Sequence, residues 1–227
     1  QREVWEIEDR EILPALWMKA SISIGHTLVG AFVGSELAGF AYAAVALKDG
    51  EVFHHSDMLA VRRSHRRSGI GVALKLAQRD RAIAVGVSRI TWTFDPLRAG
   101  NAFLNFVRLG AVGDQYLVDY YGDTSSALHR GIGTDRLWVS WHLHDAQVLE
   151  SIAGEGGGRS TEGFEKATPL LDVASDGTPA ARSYKAPRGD LTISVPSDIG
   201  AMMASDAALA WRWRAESRKM FAAAFEI

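Results

Sequence analysis

The chain has 227 residues, 47% hydrophobic and 23% charged, enough for one large domain or a domain with an extension, and balanced like a soluble globular protein. Its 25 Lys+Arg against 27 Asp+Glu leave a formal charge of −2, so no overall field draws it to nucleic acid or an anionic membrane, and no apolar run reaches the ~20 residues of a bilayer span. With no cysteine, disulfides, thiolate nucleophiles and cysteine-based zinc sites are excluded, and a cytoplasmic setting is expected.

In chain order, Val4, Trp5, Ile7, Ile12, Leu13, Leu16 and Trp17 recur at helical spacing, predicting one or two one-sided helices. Gln1 opens directly on this helical segment without a methionine, so a first strand is expected to precede it in the natural chain. Thr27 to Val33 and Glu36 to Leu47 flank Gly34-Ser35 and read as a β-hairpin, with a third strand from Glu51 to Val61. Arg62 to Ser68 is polar and basic. Gly69 and Gly71 follow, and Val72, Leu74, Leu76, Ala77 and Ile83 then recur as one helix face up to Gly86. Arg89 to Phe94 alternates with period two and stops at Asp95-Pro96, giving a fourth strand beside the third. A short helix is predicted from Asn101 to Leu109, closed by Gly110, then strands at Gln115 to Tyr121 and Arg136 to Leu143, separated by a loop from Gly122 to Asp135. Ala153 to Gly163 has the composition of a flexible loop, a lid or a connector. A strand from Leu191 to Val195 and a helix start at Pro196-Ser197-Asp198 lead into an alanine-rich amphipathic end anchored by Trp211, Trp213, Met220 and Phe221. Those anchors fit packing on the main domain or on a second copy in a homodimer better than a membrane surface.

A strand entering a helix through Gly69-Ile70-Gly71 leaves the first helical N–H groups unpaired, and these with the helix dipole form an anion site. Glycine lets a phosphate approach the amides, and Arg66 and Arg67 add charge-assisted donors. An isolated Gly-x-Gly more often only caps a strand-to-helix connection. A P-loop needs Lys-Ser/Thr after its last glycine and finds Val72-Ala73; a dinucleotide fingerprint needs a third small residue and finds Leu74. What remains is Arg66-Arg67-Ser68-Gly69-Ile70-Gly71 after Leu59-Ala60-Val61, with the Asn101 helix and Leu109-Gly110-Ala111 downstream.

These residues resemble the GNAT superfamily of acyl-CoA-dependent N-acyltransferases, over roughly Thr27 to Tyr121. Ile90 to Leu97, Tyr120-Tyr121-Gly122 and Asp135 to Val139 further look like a branch with a C-terminal extension, for some of which transfer of succinyl or related groups to amino acids has been suggested. The resemblance implies an α/β (α+β) fold: a mixed, mostly antiparallel central sheet flanked by helices, with a C-terminal strand-helix extension. It divides the chain into an acyltransferase domain, 1–150, and a loop with a helical extension packed on it, 151–227. It also implies acetyl-CoA or another acyl-CoA as co-substrate, held by Leu59, Ala60, Val61, Arg66, Arg67, Ser68, Gly69, Ile70, Gly71, Val72 and Asn101. A small-molecule amine, such as an amino acid, would be the acceptor, attacking the thioester directly while the amides near Leu59 to Val61 polarise its carbonyl. Neither nucleic acid nor membrane is an expected partner.

The family's usual acid is a tyrosine four residues before the second motif's glycine, and here that position is Phe106, which cannot donate a proton. Asn105, Tyr120 and Tyr121 are the nearby polar groups; Asn105 could orient a carbonyl or water, and Tyr121 is a candidate donor beside the reading of a packed aromatic. On a regular strand His55 and Asp57 share one face and His54 and Ser56 the other, making His55 with Asp57 a candidate base and partner, although such alternation also occurs on solvated strands. His142 and His144 repeat the spacing without carboxylates at ligand spacing, so no metal is expected. Asp95 before Pro96 reads first as a turn residue. Phe106 also keeps open a non-catalytic acyl-CoA-binding protein, and an RNA-associated acetyltransferase would need a basic surface.

Overall fold

The computed structural model describes residues 1–122, 131–154, 166–185 and 188–225. Two short helices, α1 (Arg2–Trp5) and α2 (Ala15–Ser21), precede the hairpin β1 (Thr27–Val33) and β2 (Glu36–Lys48), and β3 follows at Glu51–Val61. After a 3-10 turn at Arg63–His65 comes α3 (Ile70–Ala84), then β4 (Arg89–Phe94). The helix expected from Asn101 is α4 (Ala99–Ala102), continuing as a π-helical segment, Phe103–Arg108. Beyond it lie β5 (Val112–Leu117), β6 (Arg136–His142) and α5 (Ala146–Ala153). The strand expected to reach Tyr121 therefore ends at Leu117. Asp119, with φ 49°, turns the chain, so Tyr120 and Tyr121 stand in a turn.

These six strands form one sheet in the order β1-β2-β3-β4-β6-β5, antiparallel except for β3 beside β4. A second sheet, of which the sequence announced only the strand beginning at Leu191, pairs β7 (Thr168–Val173) with β8 (Pro179–Ala181) and β9 (Leu191–Ile193). Beside it run α6 (Ile199–Ser205) and α7 (Ala207–Ala224), each started by an aspartate whose carboxylate accepts an N–H of the first turn: Asp198 from Ala201 and Asp206 from Leu209. Most of the glycine-rich loop expected at 153–163 lies outside the described residues; Ala153 itself closes α5.

Two cores result. One joins α3, β4, β5 and β6 through Ile90, Trp92, Phe94, Tyr116, Val139 and Trp141; the other joins β7, α6 and α7 through Leu170, Leu171, Ile199, Trp213 and Met220. Of the four C-terminal anchors, Trp213 and Met220 are buried and Phe221 stacks on Tyr116 at 5.2 Å, whereas Trp211 is 58% exposed and anchors nothing. Among the described residues no helix is long and apolar enough to cross a membrane, and no cluster of three or more His, Asp or Glu is placed to hold a metal ion.

Paired strand residues share a face, which fixes what each side of the large sheet carries. α3 covers one side, with Leu74 and Ile70 over Gly39 and Lys75 reaching Ser56 and Trp92. α1 and α2 cover part of the other, with Trp5 against Phe40 and the Ser21 hydroxyl against that of Tyr42.

Candidate active site

The sheet is incomplete at its centre. β3 and β4 pair only at His54 with Ile90 and His55 with Thr91; beyond these two rungs the strands part, leaving the inner edges of Ser56–Val61 and Trp92–Phe94 without each other. A bulge marks the same place on the β2 side. Tyr42 pairs with Met58 and Ala44 with His55, so Ser56 and Asp57 together oppose the single Ala43. Leu59, Ala60 and Val61 pair with β2 on one edge and present the other to the gap.

From the end of β3 the chain enters the glycine turn. Arg66 donates from Nε to the Val61 carbonyl at 3.3 Å and Ser68 from Oγ to the His65 carbonyl at 2.6 Å, tying the turn to the strand end. Gly69, at φ 85°, is the N-cap of α3, a conformation costly for any residue with a Cβ. No side chain caps α3, so the N–H groups of Ile70, Gly71 and Val72 point out of the helix unclaimed. A Cβ on Gly71 would meet nothing nearer than Leu104 Cδ2 at 4.0 Å, so the protein itself leaves the space above these amides open. That cradle fits a pyrophosphate: donors, a helix dipole and the exposed Arg66 and Arg67. The other two arginines of the cluster are engaged elsewhere, Arg62 with Glu3 and Glu36 and Arg63 with Glu6. Asn101 is exposed in the first turn of α4, and the segment it begins reaches the turn through Leu104.

On the face opposite α3, His55 stacks on Trp138 at 4.7 Å, with Nδ1 2.9 Å from Thr91 Oγ1. Burial is the main cause that lowers its pKa below the usual histidine value; Asp57 opposes this and Lys75 adds to it, so the ring is neutral near pH 7. The regular alternation expected to put Asp57 beside His55 is interrupted by the bulge, and His55 takes Thr91 as its hydrogen-bond partner while Asp57 acts on it through space. Tyr121 joins the same face, its hydroxyl 3.2 Å from Thr93 Oγ1 and its ring under the Arg136 guanidinium at 4.9 Å, with Tyr120 edge-on at 4.8 Å.

Asn105 does not join them. It is buried on the α3 side, where its Oδ1 accepts the Trp92 indole N–H at 3.2 Å, and Trp92 points away from Thr91 by strand alternation. Its place in the sequence suggested chemistry; its bonding is that of a core amide. Phe106 packs edge-on against Phe94 at 5.7 Å in the same core. Asp95 is a turn residue as expected, accepting the Leu97 N–H at 3.0 Å, and it also receives Arg214 of α7 at 2.7 Å. The residue that sequence reasoning missed is Lys75, 2% exposed beneath the parted strands, its Nζ 2.7 Å from Ser56 Oγ.

A mixed sheet that parts beside a glycine-turned helix is the arrangement expected from the resemblance to the acyl-CoA N-acyltransferases. Residues 2–107 match the family model described as Acetyltransferase (GNAT) family. Among curated proteins none matches the chain. Among solved structures it is similar to the ribosomal-protein-S18-alanine N-acetyltransferase of Escherichia coli (20% identity, 63% of this chain and 86% of that one, TM-score 0.44). It is also similar to a GNAT family acetyltransferase of Elizabethkingia anophelis with acetyl-CoA bound (16% identity, 57% and 83%, TM-score 0.46).

Proposed function

We propose that the protein is an acyl-CoA-dependent N-acyltransferase that moves an acetyl or larger acyl group, such as succinyl, to the amine of a small molecule such as an amino acid. The observation that carries this reading is the gap between β3 and β4 opening beside the uncapped start of α3. The α3 amides with Arg66, Arg67 and Ser68 would hold the pyrophosphate, and the free edge of Leu59, Ala60 and Val61 would pair with the amides of the pantetheine arm. When bound, the thioester supplies an activated acyl group.

The acceptor amine would approach from the opposite face, lined by His55, Thr91, Thr93, Trp138 and Tyr121. His55, neutral and with Nδ1 engaged by Thr91, has Nε2 left to take the proton from the amine. Thr91 fixes the imidazole plane, and Asp57 favours the imidazolium that forms. Tyr121 and the Arg136 guanidinium over its ring suit an acceptor that carries its own carboxylate. A thiol-release assay with acetyl-CoA and succinyl-CoA against a panel of amino acids and other amines tests the proposal. Release of CoA dependent on one class of amine is expected, whereas tight CoA binding without turnover across the panel supports the alternative, a binding protein, which Phe106 in the core favours.

A further inference from the structure

α3 turns two polar side chains, Lys75 and Gln78, into the sheet, and both are buried. The Lys75 ammonium has two contacts: Ser56 Oγ on β3 at 2.7 Å and the face of the Trp92 ring on β4 at 3.8 Å from its centroid. Ser56 and Trp92 are the first residues beyond the last rung joining their strands, His55 with Thr91. Nζ therefore bridges β3 and β4 at the apex of the gap.

The hydrogen bonds around it have a direction. The Ser56 hydroxyl donates to Gln78 Oε1 at 2.9 Å, so at Lys75 it accepts. That makes Nζ the donor, the reverse of a lysine acting as base for a serine nucleophile. A hydroxyl and an indole face are its company, and burial pushes its pKa down to about 7. Among the described residues the titratable group that interacts with it is His55 of β3, whose own pKa burial lowers, while β4 brings the uncharged Trp92. A cation so placed has a proton to give at the point where the strands part.

Resting on the acyl-CoA reading, we propose that Lys75 gives its proton to the coenzyme A thiolate as it leaves, the role for which Phe106 has no proton. From Val61, beside the glycine turn, back to Ser56 is five residues of strand, roughly 16 Å at about 3.3 Å per residue. An arm held at one end by the α3 amides and laid along β3 thus brings its sulfur to the apex. There the amine nitrogen bonds to the carbonyl carbon, the carbon–sulfur bond breaks with its electron pair on sulfur, and the Nζ proton passes to sulfur. The proton lost by the amine goes to His55 and then to solvent, from which Lys75 is recharged after CoA departs.

The test compares wild type, Lys75→Met and Lys75→Arg for CoA binding by calorimetry, for the ultraviolet thiolate band of bound CoA across pH, for intact mass after incubation with acetyl-CoA, and for turnover. Wild type is expected to bind CoA and ionise its thiol at lower pH than Lys75→Met, which binds CoA equally but loses about 10²-fold in kcat. The wild-type fall in activity as pH rises through about 7 is expected to vanish in Lys75→Met. Lys75→Arg should keep the thiolate band yet turn over slowly, because arginine does not release its proton. Absence of CoA binding by wild type would overturn the acyl-CoA reading and this inference together. Equal thiolate bands and equal kcat in wild type and Lys75→Met would overturn this inference alone, as would a stoichiometric acyl adduct on Lys75, which would make it an acceptor.

Discussion

Arg214 of α7 donates to Asp95 at the end of β4 across 119 residues of sequence, Nη2 to Oδ1 at 2.7 Å, with both side chains almost wholly buried. The same guanidinium gives Nε–H to the Ile132 carbonyl at 2.9 Å, and one turn on Arg218 holds Asp135 through two bonds of 2.8 and 2.6 Å. The C-terminal helix is thus fastened to the strand ends that border the candidate acceptor face. Replacing Arg214 by leucine would take from the buried Asp95 its ion-pair partner, leaving it the Leu97 N–H, at a cost of roughly 3–5 kcal/mol. Arg182→Ala, which breaks an exposed pair with Asp172, should cost under about 1 kcal/mol. Urea denaturation of the two variants checks the contrast.

Lys75 makes stability depend on pH. Its folded pKa of about 7 lies below the ~10.4 of an unfolded lysine, so between those values the unfolded chain binds the extra proton and stability rises with pH. The slope from this one group is at most about 1.4 kcal/mol per pH unit. Measured from about pH 7 to about pH 9.5, the unfolding free energy of wild type should rise relative to that of Lys75→Met; parallel curves would place the lysine's titration elsewhere.

Gly71 and Gly69 should separate binding from folding. A valine at Gly71 meets no protein atom closer than 4.0 Å at Cβ, so the fold should tolerate it while calorimetry shows CoA affinity lost by 10²-fold or more, about 3 kcal/mol. Alanine at Gly69 must adopt φ near 85° and should cost about 1–2 kcal/mol of stability, read as a lowered thermal midpoint.

His55→Gln should lower kcat by about 10²–10⁴-fold with little change in CoA affinity. Because the His55 pKa is depressed, the base is already deprotonated at neutral pH, and the acidic fall in wild-type kcat/KM should lie below the usual histidine value of ~6.5. A pH–rate profile with its acidic limb above that value would assign the base elsewhere.

The strand, glycine turn and helix from Glu51 to Ala84 were legible because each signal is local: alternation, then Gly-x-Gly, then helical spacing. Lys75 was not, because periodicity treats lysine and glutamine as the solvent side, whereas α3 turns Lys75 and Gln78 inward with Leu74 and Ala82. The bulge at Ser56 and Asp57 depends on β2, a partner that β3's own residues do not specify, so the alternation argument for His55 and Asp57 met its limit there. The partner of Asn105 was hidden for a similar reason: the indole that bonds it comes from another element. β8 is three residues opening on a proline, too short for any period to show.

The two rungs between β3 and β4 leave the molecule with a seam rather than a continuous sheet. On one side, β1, β2 and β3 form a panel; on the other, β4, β6 and β5 form a second, and the backbone groups along the open part of the seam need partners that the neighbouring strand does not provide. A ligand lying there serves as a surrogate strand. Its arrival would stitch the panels together, so the amide protons of Leu59 and Val61, which alternate with those bonded to β2, should exchange more slowly once it is bound while that of Ala60 changes little, making the ligand a part of the protein's own architecture while it stays.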